Sequence, residues 1–221
     1  MNDNTRRLII LEAQSAFSND KLNQMIDLYE DFLNLDTAVE KGVRGDWLSN
    51  VSAFYELGQG SMQSSHRYLL NSESVFKKIL YIVNEQKYTE IVSEKKLGMY
   101  GTFENIGLLK CMPNNINLSN YDYKKLEDPV QKAIVRTYQL RNIASHTSEE
   151  WSLSDMIESV REILISTVYA VWINRGSIMK VLDKSTGISQ YNIDKYINNI
   201  AKEYNAKLKK GFRYALDILR H

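Results

Sequence analysis

Hydrophobic residues recur at intervals of three and four along much of the chain, which is the period of an amphipathic α-helix. The clearest stripe lies between residues 20 and 41 and comprises Leu22, Met25, Ile26, Tyr29, Phe32, Leu33 and Leu35. Alternating apolar and polar residues bounded by hairpin turns, which would indicate strands, do not occur. The pattern therefore predicts an all-α protein.

The same periodicity predicts the individual helices. They span residues 5–17, 20–41, 47–57, 100–111, 129–142, 155–174 and 192–219, and one more begins at Ser72 or Ser74 and ends near Gly98. Asn19 and Asp20 are expected to cap the second helix, and Gly42 to end it. Asp128 followed by Pro129 is a helix-start signature, because proline tolerates the first helical position.

Composition agrees with long helices. The 221 residues include only 2 Pro and 10 Gly, the two residue types that most often interrupt helices. The longest mostly apolar stretch, residues 163–173, is eleven residues long. A membrane-spanning helix needs about 20 apolar residues. We therefore expect this stretch to form a buried core helix, and we expect no membrane partner.

Charge is distributed unevenly along a chain whose formal net charge is only +1. Residues 176–221 carry nine Lys or Arg and four Asp or Glu, a net charge of +5, whereas the first 175 residues carry −4. We therefore divide the chain into a helical domain, residues 1–180, and a basic helical extension, residues 181–221, that leads to further domains if the sequence is a fragment. The extension either faces RNA or is simply solvated.

Cysteine usage and the N-terminus bear on the compartment. Cys111 is the only cysteine, which excludes an intrachain disulfide and a zinc site built on cysteines. Glu12 interrupts the apolar run Leu8–Leu11 too early for the core of a signal peptide. Both features fit a protein of the reducing cytoplasm.

One short segment carries residues suited to chemistry. Residues 140–146 read Leu-Arg-Asn-Ile-Ala-Ser-His, so Arg141 is followed directly by Asn142 and, after four intervening residues, by His146. The spacing alone is a weak signal, but the adjacent Asn, the small Ala-Ser pair and the flanking amphipathic helices make it more specific. The segment resembles the Arg-x4-His signature of the HEPN superfamily, and the resemblance covers residues 128–175.

The resemblance implies a helical bundle of HEPN type, here with additional N- and C-terminal helices. Many HEPN proteins are metal-independent endoribonucleases, so the implied partner is RNA and no cofactor or metal is expected. The implied reaction is attack of the 2′-hydroxyl on the phosphate, and the implied biology is that of a toxin or an antiphage effector. A regulatory partner or a fused domain would restrain such an activity.

The residue types in the motif suit that reaction. His146 exchanges protons near neutral pH and so can act as acid or base. The Arg141 guanidinium stays charged and can grip phosphate oxygens with two parallel donors, which stabilises a phosphorane. Asn142 can donate or accept a hydrogen bond and so position His146 or the phosphate. Arg141, Asn142 and His146 are therefore the predicted catalytic residues.

Helix geometry constrains how these residues meet. On a straight helix Arg141 and His146 lie about 140° apart around the axis, whereas Asn142 and His146 share a face. Either the helix ends near Ala144, or a second chain completes the site. In the HEPN proteins that this segment resembles, two motifs face each other across a dimer, which is the second arrangement. The resemblance therefore implies a homodimer with a composite site.

Two other functions stay open. One is a catalytically silent HEPN-like module that dimerises or binds a partner. The other is a helical bundle that binds a nucleotide in an enclosed apolar pocket. A purely structural role of the motif also stays open, in which Arg141 caps the carbonyl end of its helix and pairs with Glu149 or Glu150 while His146 is simply exposed. HEPN toxins paired with a nucleotidyltransferase resemble Arg-x4-His-x-Tyr, but Thr147 and Ser148 follow the histidine here, which argues against regulation by that partner.

The remaining candidate residues are expected to be structural. His66 and Arg67 follow two glycines and are interpreted as part of a surface turn. Glu158 and Glu162 are four residues apart beside an arginine, which indicates a solvated helix face rather than a metal site. Most of the 14 tyrosines have core spacing, for example Tyr29, Tyr138 and Tyr169. No Gly-rich phosphate-binding loop occurs in the sequence.

Overall fold

The computed structural model describes residues 3–35, 62–94, 98–114, 116–146 and 153–186. These residues form eight α-helices, and no strand occurs among them. In chain order the helices are α1 (Asp3–Ala13), α2 (Asn19–Asn34), α3 (Met62–Val83), α4 (Glu85–Glu94), α5 (Gly98–Asn105), α6 (Pro129–His146), α7 (Leu153–Ile173) and α8 (Arg175–Thr186). The predicted all-α class is confirmed.

The central helix is α7, which packs against α1, α2, α3 and α6. Every residue from 162 to 168 is buried, so this part of the helix is enclosed on all sides. The prediction of a core helix over residues 163–173 is therefore confirmed. A buried hydroxyl of α7 is paired across a helix interface: Ser166 Oγ lies 2.9 Å from Thr137 Oγ1 of α6.

The apolar stripe expected in the second helix is also confirmed. All seven of its residues, from Leu22 to Leu35, are buried. Tyr29 lies on this stripe, and its hydroxyl is 3.1 Å from Thr167 Oγ1 of α7. The stripe therefore fixes which face of α2 meets the central helix, and the buried hydroxyls satisfy each other.

A buried lysine of α3 satisfies the carbonyl end of α2. Lys78 is only 2% exposed. Its Nζ donates hydrogen bonds to the Phe32 oxygen at 2.8 Å and to the Leu35 oxygen at 2.7 Å. The Phe32 oxygen also accepts the backbone N–H of the C-cap residue Leu35 at 3.2 Å, and the helix dipole favours a cation at this end of the helix.

Several predicted helix boundaries are wrong. Ser72 does not cap a helix but is buried within α3, which begins ten residues earlier, at Met62. The predicted end of this helix, near Gly98, is also wrong. The helix ends at Val83, and a separate helix, α4, follows from Glu85. The Asn84 side chain accepts a hydrogen bond from the Lys87 backbone N–H at 3.0 Å, as an N-cap does.

Smaller differences occur at other helix ends. The second helix begins at Asn19, so Ser18 occupies the cap position that was expected one or two residues later. The predicted helix over residues 100–111 is a shorter α-helix, α5, followed by a 3-10 turn, Leu108–Cys111. Gly107 separates the two with a φ of 80°, a conformation that residues with a Cβ rarely adopt.

The chain divides into two compact units, Met1–Ile178 and Met179–His221. The boundary expected from charge, between residues 180 and 181, lies close to this division. The first unit holds α1 to α7 and the start of α8, and residues 179–186 are the part of the second unit that the structure describes. The predicted helices over residues 47–57 and 192–219 lie outside the described residues. None of the described helices is both long and apolar enough to cross a bilayer.

Candidate functional site

The motif lies in the C-terminal part of α6. Asp128 Oδ1 accepts a hydrogen bond from the Gln131 backbone N–H at 2.9 Å, and the helix begins at the intervening proline. The predicted helix start is therefore confirmed. The helix continues through His146, so the alternative in which it ends near Ala144 is wrong.

A continuous helix keeps the arginine and histidine positions of the motif apart. Positions five residues apart on an α-helix differ by about 140° around its axis. Arg141 and His146 are related in this way, whereas position 142 shares a face with position 146. The side chain of His146 lies outside what the structure describes. The two positions of the motif therefore lie on different sides of α6.

Arg141 reaches across from α6 to bind Glu73 of α3. Its Nε donates to Glu73 Oε2 at 2.7 Å, and its Nη2 lies 2.6 Å from the same oxygen. The two side chains are 21% and 12% exposed, so water screens the pair much less than a surface ion pair. The alternative partners, Glu149 and Glu150, lie outside the described residues.

Lys77 is the second cation on the same carboxylate. Its Nζ lies 2.8 Å from Glu73 Oε1, one helical turn along α3. Burial alone would raise the pKa of Glu73, but the hydrogen bonds and charges of Lys77 and Arg141 outweigh burial and hold that pKa below its ordinary value. Glu73 is thus a carboxylate at neutral pH, and these three side chains together carry one net positive charge.

Asn142 is joined to the arginine that precedes it. The Nη1 of Arg141 donates to Asn142 Oδ1 at 3.3 Å. A guanidinium only donates hydrogen bonds, so the Asn142 atom that faces Arg141 is the amide oxygen. The amide nitrogen, Nδ2, therefore points away from Arg141. Within the described part of the chain, Nδ2 of Asn142 has no hydrogen-bond acceptor. Asn142 therefore keeps a free donor beside the motif.

An open cavity of about 280 Å³ lies beside Asn142. It is lined by Ser119, Asn120, Tyr121, Gln139, Asn142 and Ile143. The loop that forms one wall is held against α6 by Gln139, whose Nε2 donates to the Leu118 oxygen at 3.0 Å and to the Tyr121 oxygen at 2.8 Å. These two bonds fix both the loop and the cavity shape.

Glu73 is the site residue that the sequence analysis missed. One signal was present, because Glu73, Phe76 and Leu80 have the three- and four-residue spacing of a buried stripe. An acid on such a stripe needs a partner. Periodicity did not show that the partner lies 68 residues away on another helix.

Two residue groups set aside as structural lie elsewhere than expected. His66 and Arg67 belong to α3, so their assignment to a surface turn is wrong. Glu162 is 2% exposed, so the predicted solvated face is wrong at this position. Its Oε1 accepts a hydrogen bond from Arg161 Nη2 at 3.2 Å. Of the tyrosines expected in the core, Tyr29 is buried, and Tyr138 and Tyr169 are half-buried.

Neither metal ligands nor relatives add to this geometry. In the described ranges, no group of three or more His, Cys, Asp or Glu side chains is placed to hold a metal ion. No family model matches the chain, and no curated protein or solved structure is significantly similar to it.

Proposed function

We propose that this chain is a metal-independent endoribonuclease of HEPN type, belonging to a toxin or antiphage-defence system and acting as a homodimer. The observation that carries the proposal is the arrangement at the end of α6. Arg141 and Asn142 contact each other there, Asn142 borders an open cavity, and His146 is the last residue of the same helix.

Arg141 is the residue that stabilises charge in the proposed reaction. Glu73 holds its Nε and Nη2, which fixes the plane of the guanidinium before substrate arrives. A fixed cation needs no reorganisation as negative charge develops on the phosphorane oxygens. The net positive charge of Arg141, Lys77 and Glu73 taken together also favours an anionic phosphate.

His146 supplies the proton transfers. One histidine takes the proton from the 2′-hydroxyl, whose oxygen then attacks phosphorus, and the bond to the 5′-oxygen breaks. The imidazolium that forms in this step then gives the proton to that leaving oxygen. The products are a 2′,3′-cyclic phosphate and a 5′-hydroxyl. Asn142 orients the phosphate or the imidazole through one of the two N–H groups of its amide nitrogen.

Cleavage of RNA in the presence of EDTA tests this function. Wild type is expected to cut single-stranded RNA, to leave cyclic phosphate ends, and to lose the activity in His146→Ala. His221→Ala is the matched control, because it removes the terminal histidine and not the one in the motif. Cleavage that requires added metal, or that survives in His146→Ala, contradicts the proposal.

One observation favours a second candidate, a catalytically silent module that dimerises or binds a partner. Two of the three guanidinium nitrogens of Arg141 are used by Glu73, as they would be in a purely structural tie between α3 and α6. In that case wild type cuts no RNA, and Arg141→Gln changes stability alone. Dimerisation without any cleavage, with or without EDTA, supports this alternative.

A further inference from the structure

The cavity beside Asn142 lies on the same face of α6 as the motif histidine. Measured around the helix axis from Asn142, Gln139 lies at about 60°, His146 at about 40° and Ile143 at about 100°. Arg141 lies about 100° away in the opposite direction. Position 146 thus falls among the three helix positions that line the cavity, about 6 Å further along the axis from Asn142.

The lining of the cavity suits a neutral, flat, hydrogen-bonding group. All six lining residues are uncharged, which disfavours a phosphate as the occupant. Tyr121 offers a half-exposed ring, and Asn120 and Ser119 are exposed to incoming groups. A ring for stacking together with amide and hydroxyl groups is what proteins use to bind an unpaired RNA base.

Two half-buried amides in the lining have unused hydrogen-bonding groups. Gln139 spends both N–H groups on the loop carbonyls, so its Oε1 remains as an acceptor. Asn142 accepts through Oδ1 from Arg141, so its Nδ2 remains as a donor. Among the described residues neither group has a partner. The cavity wall therefore presents one donor and one acceptor three residues apart on one helix.

We propose that this cavity binds one nucleobase of the RNA, next to the phosphate that is cut, and thereby sets the base preference of cleavage. Tyr121 stacks on the base, and Asn142, Gln139 and Asn120 hydrogen-bond its edge. The inference rests on the proposed ribonuclease function for its place beside the scissile phosphate. Binding of the base itself is measurable without any cleavage.

The binding experiment uses RNA that cannot be cut by 2′-hydroxyl attack. The full chain is titrated into 2′-O-methyl octamers of A, C and U and an alternating G–U octamer, each carrying a fluorophore, and anisotropy gives the affinity. Loss of one stacked base weakens binding roughly tenfold or more. For the octamer that wild type binds most tightly, we expect Tyr121→Leu to weaken the affinity by this factor. Asn120→Leu should weaken it less and should change the order of preference among the octamers.

Each variant has a matched control elsewhere on the surface. Tyr100→Leu removes an exposed tyrosine of α5, and Asn114→Leu removes an exposed loop asparagine, and neither residue lines the cavity. Both controls are expected to bind the octamers as wild type does. Thermal unfolding of all four variants shows whether a loss of binding comes from the cavity or from unfolding.

The outcomes separate the base site from the nuclease. If RNA is cut in a His146-dependent way but the cavity variants keep wild-type affinities and cleavage positions, the base site is wrong and the nuclease stands. If the octamers bind through Tyr121 and Asn120 but no RNA is cut, the base site stands and the proposed function fails. Octamers that bind to none of the proteins overturn the base site directly.

Discussion

Glu73 and Arg141 are joined across α3 and α6 through one carboxylate oxygen, which lies 2.7 Å from Nε and 2.6 Å from Nη2. The arginine proposed to stabilise the transition state is therefore also a link between two core helices. A variant of Arg141 is therefore expected to change both the proposed RNA cleavage and the stability of the fold, so both are measured for each variant.

The ion pair is expected to stabilise the fold measurably. Glu73→Gln and Arg141→Gln should each lower the free energy of unfolding by about 1–3 kcal/mol, because each leaves a partly buried charge with one partner fewer. The double variant should lose less than the sum, with a coupling of about 1 kcal/mol. Urea denaturation of the four proteins gives this value.

An exposed ion pair of the same protein serves as the control for that cycle. Lys87 Nζ lies 2.6 Å from Glu90 Oε2, but the two side chains are 44% and 39% exposed. Its coupling should stay at or below about 0.5 kcal/mol. Equal coupling in the two cycles would show that burial adds nothing to the Glu73–Arg141 pair.

The contribution of Glu73 should depend on pH. Its pKa is lowered in the folded state from an ordinary value of 4.5. A carboxyl with a lowered pKa stabilises the fold above its unfolded pKa and loses this effect as pH falls through the folded pKa. The stability difference between wild type and Glu73→Gln should therefore be full at neutral pH and shrink below about 4.5. A difference that is unchanged at acid pH contradicts the assignment.

Asp27 of α2 should produce the opposite pH dependence. Burial raises its pKa to about 6, although Arg6, whose Nη2 lies 2.5 Å from Asp27 Oδ1, acts in the lowering direction. A raised pKa means that the folded state binds the proton more tightly than the unfolded chain, so stability should rise as pH falls from above 6 toward 4. Asp27→Asn should reduce this rise, and Asp20→Asn, at an exposed position of the same helix, should not. A carboxyl ¹³C titration midpoint near 4 for Asp27 would rule out the effect.

Local features of the fold could be predicted from the sequence, and long-range ones could not. The α2 stripe, the core helix over residues 163–173 and the start at Asp128-Pro129 depend on neighbours within one or two turns, so spacing reveals them. Ser72 is not the cap that the sequence suggests because serine, although favoured at N-caps, also occurs inside helices, and here it is buried within α3. The partners of Glu73 and Lys78 lie on other helices, and periodicity identifies a buried face without identifying what covers it.

Lys78 tests how much a buried cation at a helix end contributes. Lys78→Met keeps the apolar stem but removes the hydrogen bonds to Phe32 and Leu35, so it should lower the free energy of unfolding by about 2–3 kcal/mol. Lys87→Met, at a 44% exposed side chain, should change it by less than about 0.5 kcal/mol. If chemical denaturation gives the same loss of unfolding free energy for both variants, the buried hydrogen bonds of Lys78 do not stabilise the fold.

The composite site proposed for the homodimer leads to a prediction about mixed dimers. If Arg141 of one copy and His146 of the other act on the same phosphate, the inactive variants Arg141→Gln and His146→Ala should complement each other. A mixed dimer then holds one intact site and one doubly defective site. Random exchange of equal amounts should restore roughly a quarter of wild-type cleavage.

The matched control mixes His146→Ala with His146→Gln, which leaves no intact histidine in any combination and should restore nothing. Native mass spectrometry of differently tagged copies shows whether mixed dimers form. Mixed dimers that form without restoring cleavage would mean that each copy uses its own arginine and histidine. Because those positions lie about 140° apart on one continuous helix, that result would require the end of α6 to unwind when RNA binds.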